Sequence, residues 1–422
     1  MAYKDSIIND ILASEALSVE TLHIQKEAKK EFKQKGIPTT KDEEWKFTNL
    51  SKVFNKEYSF CTKELDKSDL LTDFEQYRIV LENGTINKEK SVLLSDDSLE
   101  IGDLKDKLQD NHFVQNVFNR AFAKDANAMI DLNTALLQGG IYLKIKKGNT
   151  IDKPIVIAQL LGANDVSVAA YSRIIVEIEE NAEANIITYT ESQGDLATLS
   201  NLVTEVYVDK NARLKYNILQ NDHSQASQIN NTKIIQESGS VVDVVTISLS
   251  GDLIRNNLDI ILNNEHIESN FSSLYLIQGK THIDNHTVAD HKYPNCNSNE
   301  LYKGIMDDTS RGVFNGKIFV RKDAQKTNAF QANNNILLSD NAIINTKPQL
   351  EIWADDVKCS HGCTIGQIDK EALFYLQARG IGIQKAKALL LESFAQEVAD
   401  KISFEPFANY IRHLVSERLD ND

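Results

Sequence analysis

Between residues 141 and 350 the chain repeats a short theme. I-I-V-E-I-E-E-N-A-E-A-N-I-I from Ile174 is echoed by V-T-E-V-Y-V-D-K-N-A-R-L-K-Y-N-I from Val203, with Asn-Ala turns at 181 and 211. Further copies begin at Lys233 (K-I-I-Q-E-S-G-S-V-V-D-V), Leu258 (L-D-I-I-L-N-N-E-H-I) and Lys317 (K-I-F-V-R-K-D-A-Q-K). Each is an apolar, β-branched run, a polar turn and a second run, the composition of strands. A unit of roughly 25 to 30 residues with no helix between copies predicts a β-solenoid, in which every coil pairs with the coils on either side. A two-sheet sandwich is the competing fold, but it needs only about seven strands and the copies run past that number.

The flanks read differently. From Ser6 to Lys35 the residues Ile7, Ile8, Ile11, Leu12, Leu17, Leu22 and Ile24 fall mostly at helical spacing until Gly36-Ile37-Pro38 stops them. Signals are mixed up to residue 140, with Trp45-Lys46-Phe47 and the run Tyr77 to Leu81 as anchors. After Ile368 helices return. Asp369 is placed to cap the first, with Gly380 just past its end; a second carries Ala386, Leu389, Leu390, Phe394 and Val398 on one face; and Pro406 precedes a third, short one. The expected organisation is a helical and mixed region over 1–140, a solenoid core over 141–366 and a helical region over 367–422. A stacked coil leaves unpaired backbone groups at both ends, and the helical regions are the expected covers.

With 46 basic and 61 acidic residues the net charge is −15, and no basic run stands against it, which argues against a nucleic-acid or anionic-membrane partner. No window is apolar enough to span a membrane and the N-terminus lacks a signal-peptide core, so a cytoplasmic protein is expected. Cysteines at 61, 296, 359 and 363 make no disulfide framework. A Walker phosphate loop is absent: in G-V-F-N-G-K-I, from Gly312, the glycine spacing is wrong and no hydroxyl follows Lys317. The G-x-S-x-G, H-E-x-x-H and G-x-G-x-x-G motifs are missing too.

Three clusters carry chemistry. In H-I-D-N-H-T-V-A-D-H, residues His282, Asp284 and His286 would share one strand face and, with Asp290 and His291, are competent metal ligands; polar coil faces bonded to their neighbours are the plainer expectation. Cys296 reads as a small buried residue. In V-K-C-S-H-G-C-T-I-G, residues Cys359, His361 and Cys363 combine thiol and imidazole, suited to iron, zinc or an iron–sulfur cluster, or to an activated nucleophile. One loop cannot close a tetrahedral site. Spacing alone leaves metal site, nucleophile and packed turn open.

The stretch T-K-P-Q-L-E-I-W-A-D-D-V-K-C-S-H-G-C-T-I-G-Q-I-D-K-E-A-L-F-Y-L-Q-A-R-G-I, residues 346–381, closely resembles the C-terminal signature of the SufB/SufD family of iron–sulfur cluster assembly proteins. L-Y-K-G-I-M-D-D-T-S-R-G-V-F-N-G-K-I and A-Q-K-T-N-A-F-Q-A-N-N-N-I-L-L-S, within 301–339, resemble it as well, as does G-I-P-T-T-K-D-E-E-W-K-F-T-N-L from Gly36. The SufD branch fits better than the SufB branch: Gly362 follows His361 where SufB-like sequences carry Glu, and the N-terminal cysteine cluster and greater length common in SufB are absent. The resemblance implies a right-handed parallel β-helix with helical end domains. It also implies a non-catalytic scaffold that pairs with SufB through the β-helix and docks the ATPase SufC on its C-terminal helices, ATP binding to SufC alone.

No cofactor is expected to bind tightly to the isolated chain, and a nascent iron–sulfur cluster or iron is expected at the interface with SufB. Cys359 and His361 match the Cys and His of the family's C-S-H-G motif, whose histidine is implicated with a SufB cysteine in cluster assembly. Cys363 stands where many members have Ala, as an extra ligand or a small buried residue. The isolated chain is expected to be able to pair with a second copy. Two other readings stay in view. One is a polysaccharide-active solenoid enzyme using the 282–291 stretch. The other is a SufB-type primary sulfur acceptor carrying a persulfide on Cys296 or Cys359.

Overall fold

The computed structural model describes residues 15–60, 65–66, 68, 70–163 and 165–420. Ile7, Ile8, Ile11, Leu12 and Cys61, singled out above, lie outside these. Two ten-stranded sheets face each other, and from Gly139–Ile145 onward consecutive strands alternate between them. Sheet 1 begins with Thr85–Ile86 and Tyr77–Glu82 and ends with Asn328–Leu337 and Lys358–Gly366; sheet 2 begins with Leu94–Ser95 and Leu99–Asp103 and ends with Arg311–Val320 and Ile343–Ile352. Strands one coil apart pair in parallel, so Val241, Glu268, Asn297, Asn328 and Lys358 form one column at intervals of 27 to 31 residues. The fold is a parallel β-solenoid with helical flanks.

Local sequence sets this geometry. At the corner leading from sheet 2 to sheet 1, six successive coils place one residue at positive φ: Asn181, Asn211, Gly239, His266, Asn295 and Lys326. Asn and Gly tolerate that conformation at low cost, and Asn211 Nδ2 donates to Asn181 Oδ1 at 3.1 Å, so the corners also bond to each other. Between the sheets, Ile186, Leu214, Val242 and Phe271 of sheet 1 meet Val176, Val206, Ile234 and Ile260 of sheet 2. Each such side chain contributes about 1.5–3 kcal/mol of burial.

All five copies start in sheet 2 and run into the corner that follows it, from Val168–Ile178 to Arg311–Val320, and the first three continue into sheet 1. The strand missing from that series is His282–His291, paired with Leu253–Leu262 on one side and Arg311–Val320 on the other.

The expected covers do not sit at the ends. Helix Leu22–Lys35 and helix Ala128–Ala135 lie on the outer face of sheet 2, through Phe32, Met129, Leu132, Tyr171 and Leu199. Helices Ile383–Ala399 and Glu405–Asp420 fold back along the outer face of sheet 1, where Leu391, Ala395, Val398, Phe407 and Ile411 pack on Val156, Ile187, Val245 and Leu274. Strands covered on both faces must be apolar on both, and Thr198–Val208 is buried at every residue. A stripe of outward apolar residues along each sheet is a larger surface than the ends offer, and the helices follow it.

The helical readings at the C-terminus need two further changes. Ile383–Ala399 buries Ala386, Ala388, Leu391, Ala395, Val398 and Ala399, leaving Leu389 exposed, so its packed face is rotated from the one expected. The third helix is not short: it spans 16 residues, with Pro406 inside its first turn where a missing N–H costs nothing.

The two ends of the stack differ. At the first, both edges are two-residue antiparallel strands, short enough to discourage further pairing. At the last, Ile343–Ile352 and Lys358–Gly366 are full-length edges with no strand beyond them among the described residues, and Ile343, Ile352, Trp353 and Ile365 are exposed.

Candidate functional site at the open end of the solenoid

Cys359, His361 and Cys363 all lie on the final edge strand, paired with Ala329, Gln331 and Asn333 of the preceding coil. Alternation puts the three on one face. Cys359 packs against the core between the sheets, so that face looks into the solenoid. Among the described residues no further coil covers it, and exposure rises along the strand: Cys359 is half-buried while His361 and Cys363 are exposed, so Cys363 is not a small buried residue. The stretch is therefore neither a loop nor a packed turn but the lip of an open mouth.

Geometry limits what the strand can do alone. Same-face residues on one strand stand about 6.7 Å apart, whereas zinc or iron needs ligand atoms about 2.0–2.3 Å from the metal. Among the described residues no three His, Cys, Asp or Glu side chains come close enough together to hold a metal ion. Burial pushes the Cys359 thiol up, with a partial counter-pull from the Ala329 backbone, which is the opposite of an activated nucleophile.

The 282–291 stretch is split between faces. His282, Asp284 and His286 share the outer face, as alternation requires, but they grip residues 44–48 of the chain's own N-terminal segment, which form an N-terminal clasp. Thr48 Oγ1 lies 2.8 Å from His282 Nε2 and donates to Asp284. His286 faces Glu44 at 3.2 Å and Asp284 at 3.1 Å, and Lys317 Nζ reaches Glu44 Oε1 at 2.6 Å. Arg255 pairs with Asp284 and lies 4.3 Å from the centre of the Trp45 ring. Burial would raise the Asp284 carboxyl, but the Arg255 charge, helped by His286 and Thr48, outweighs it and holds the group well below the usual range. Asp290 binds Arg321 through two contacts of 2.7 and 3.1 Å. His291 faces the interior, bonded to Ser298 at 2.8 Å and pushed down to about 3 by burial. Here the plainer expectation holds, and the face a polysaccharide enzyme would have used is taken up by residues 44–48. Cys296 is fully buried, its thiol donating to the Asn264 carbonyl at 3.1 Å.

Behind the mouth is a polar column that sequence reasoning did not find. Glu300, Gln331 and His361 are registered neighbours in three successive coils. Gln331 Nε2 donates to Glu300 Oε2 at 2.7 Å, and Thr287 Oγ1, from sheet 2, donates to Glu300 Oε1 at 2.5 Å. The one sequence signal is their spacing of a coil length. Burial raises the Glu300 carboxyl to about 7 against the pull of those two donors. The folded chain then keeps a proton that the unfolded chain loses above about 4.5, so stability falls as pH climbs from about 4.5 to about 7 and levels off beyond. Glu300→Gln is expected to remove that slope, roughly 3 kcal/mol, seen as wild type minus variant in urea unfolding at pH 5 and pH 8.

Comparison with known sequences adds the decisive observation. Residues 160–394 match the family described as SUF system FeS cluster assembly, SufBD core domain, and residues 10–157 match the SufBD protein N-terminal region. The chain belongs to the SufBD family. Among its relatives, an iron–sulfur cluster assembly SufBD family protein of Synechocystis is 31% identical, with 90% of this chain and 87% of that protein covered. The iron–sulfur cluster assembly protein SufD of Escherichia coli is 30% identical over 91% and 90%, and SufD of Bacillus subtilis 24% over 90% and 89%. The two SufBD matches together take in the clasp, the whole solenoid and the open mouth. Among the described residues no helix is long and apolar enough to cross a membrane.

Proposed function

We propose that this chain is a SufD-type scaffold. It pairs its open end with a SufB solenoid, docks the ATPase SufC on its C-terminal helices, and offers His361, with Cys359, to iron or a nascent cluster whose remaining ligands come from the partner. The cluster is cargo rather than a resident cofactor, ATP is bound by SufC, and the chain contributes no catalytic residue of its own. One observation carries the reading: the only full-length unpaired edges among the described strands are Ile343–Ile352 and Lys358–Gly366, and the second carries His361. Edges of that length invite a further strand, and a partner joined there brings its ligands to the mouth. Without SufB, a second copy of the chain is the expected occupant. Cys363 is read as a small residue at the lip, not a required ligand.

For SufC, the supporting feature is helix Lys370–Ala378. Its N-cap is built as the sequence suggests, Asp369 accepting from the amides of Glu371 and Ala372, yet it buries no residue. Phe374 is 71% and Tyr375 55% exposed. Large exposed aromatics on a well-formed helix suit a protein contact. The test is co-purification of tagged chain with SufB and SufC from the same genome. Wild type is expected to retain both; Phe374→Ser with Tyr375→Ser should weaken SufC binding at least about tenfold and leave SufB in place. Recovery of neither partner by the wild-type chain would sink the reading.

A further inference from the structure

Among the buried polar atoms with no hydrogen-bond partner among the described residues are Gln331 Oε1 and Thr346 Oγ1, both at the mouth. The first is the more informative. Gln331 is 3% exposed and is the registered neighbour of His361, one strand spacing of about 4.8 Å away on the same face. Its nitrogen end is already committed, donating to Glu300 Oε2 at 2.7 Å. Glu300 is itself 4% exposed and fixed from the opposite sheet by Thr287. An amide whose N–H is held by a carboxylate cannot turn over without losing that bond, so its carbonyl stays available as an acceptor beside the imidazole.

A histidine that ligates through one nitrogen is normally oriented by a hydrogen bond from the other ring N–H to a carbonyl or carboxylate, which fixes both tautomer and ring direction. His361 has no such partner on its own strand. We propose that Gln331, held by Glu300, is a positioning residue for His361: its Oε1 accepts from one imidazole N–H and leaves the second nitrogen free for the metal or cluster. This rests on His361 being the ligand proposed above. The column Thr287, Glu300, Gln331, His361 then runs as a chain of donors and acceptors from sheet 2, through the interior, to the lip.

The test reads the ring of His361 in the full chain and needs no partner, so its failure is separate from failure of cluster assembly. With histidine 15N-labelled and the His361 signals assigned through His361→Ala, ring nitrogen shifts are measured at pH 8, where Glu300 is ionised. Wild type is expected to hold one tautomer. Gln331→Met, which keeps length and removes the acceptor, and Gln331→Leu should return the ring to the mixture of a free imidazole. Glu300→Gln should retain the single tautomer, because its side-chain carbonyl still accepts from Gln331. A free-imidazole mixture in the wild-type chain, or a single tautomer that survives Gln331→Met, overturns the proposal.

Discussion

Changing His361 to alanine is expected to reduce cluster formation by the co-expressed SufB, SufC and variant assembly by at least about tenfold while leaving the chain folded. His361 is exposed and, beyond the bond proposed to Gln331, makes no hydrogen bond or ion pair among the described residues, so truncation should change stability by no more than about 1.5 kcal/mol. Anaerobic absorbance and iron content of the purified assembly report the loss. Cys359→Ala should cost less, because that thiol is half-buried against the core and held in its protonated form. Cys363→Ala should leave the cluster unchanged. Wild-type cluster content in the His361→Ala assembly would remove the histidine from the site and leave the strand a purely mechanical edge.

The largest effect on folding is expected from Glu205→Ala. Arg173 and Glu205 are both fully buried, 3.3 Å apart, between sheet 2 and the N-terminal helices. Glu205 does more than neutralise the arginine, since it also accepts from the amides of Asn119 and Ala121 and from the Tyr207 hydroxyl. Arg173 in turn bonds to Asn119, Asn133 and Thr134 and lies over the Phe118 ring. Removing the carboxylate leaves the guanidinium charge uncompensated away from water and takes the partner from the Asn119 amide, while the Ala121 amide keeps the Tyr207 hydroxyl; the loss is about 3–5 kcal/mol. Replacing the pair together, as Arg173→Met with Glu205→Leu, should cost clearly less than Glu205→Ala alone. Equal losses for the single and double variants in urea unfolding would mean that packing, not the unpaired charge, sets the cost.

Much of the architecture was legible because a solenoid imposes the same demand on every coil. The Asn-Ala turns at 181 and 211 mark corners that need positive φ, and the β-branched runs before them are strands of one sheet. The repeat was lost at His282–His291 because the outward positions of that strand serve the N-terminal clasp. Histidine and aspartate placed there to bind Glu44 and Thr48 look, in sequence, like metal ligands.

Where the helices would lie was not legible, since periodicity shows that a helix has an apolar face but not which surface meets it. Nor could sequence show that one end of the stack is blunted by two-residue strands and the other left open. The chemistry of C-S-H-G-C could be named from residue types, but its placement on an edge depends on pairing with residues thirty positions away. Glu300 and Gln331 are ordinary polar residues in sequence and become a column behind His361 only when the coils stack.

The most direct measurement is hydrogen–deuterium exchange of this chain alone and in complex with SufB from the same genome. Pairing at the open end predicts slowed exchange in Lys358–Gly366, in Ile343–Ile352 or in both, with the blunted first end unchanged. Stable binding of SufB with unaltered exchange in both edge strands would contradict the account, because the partner would then sit elsewhere and His361 would face only water.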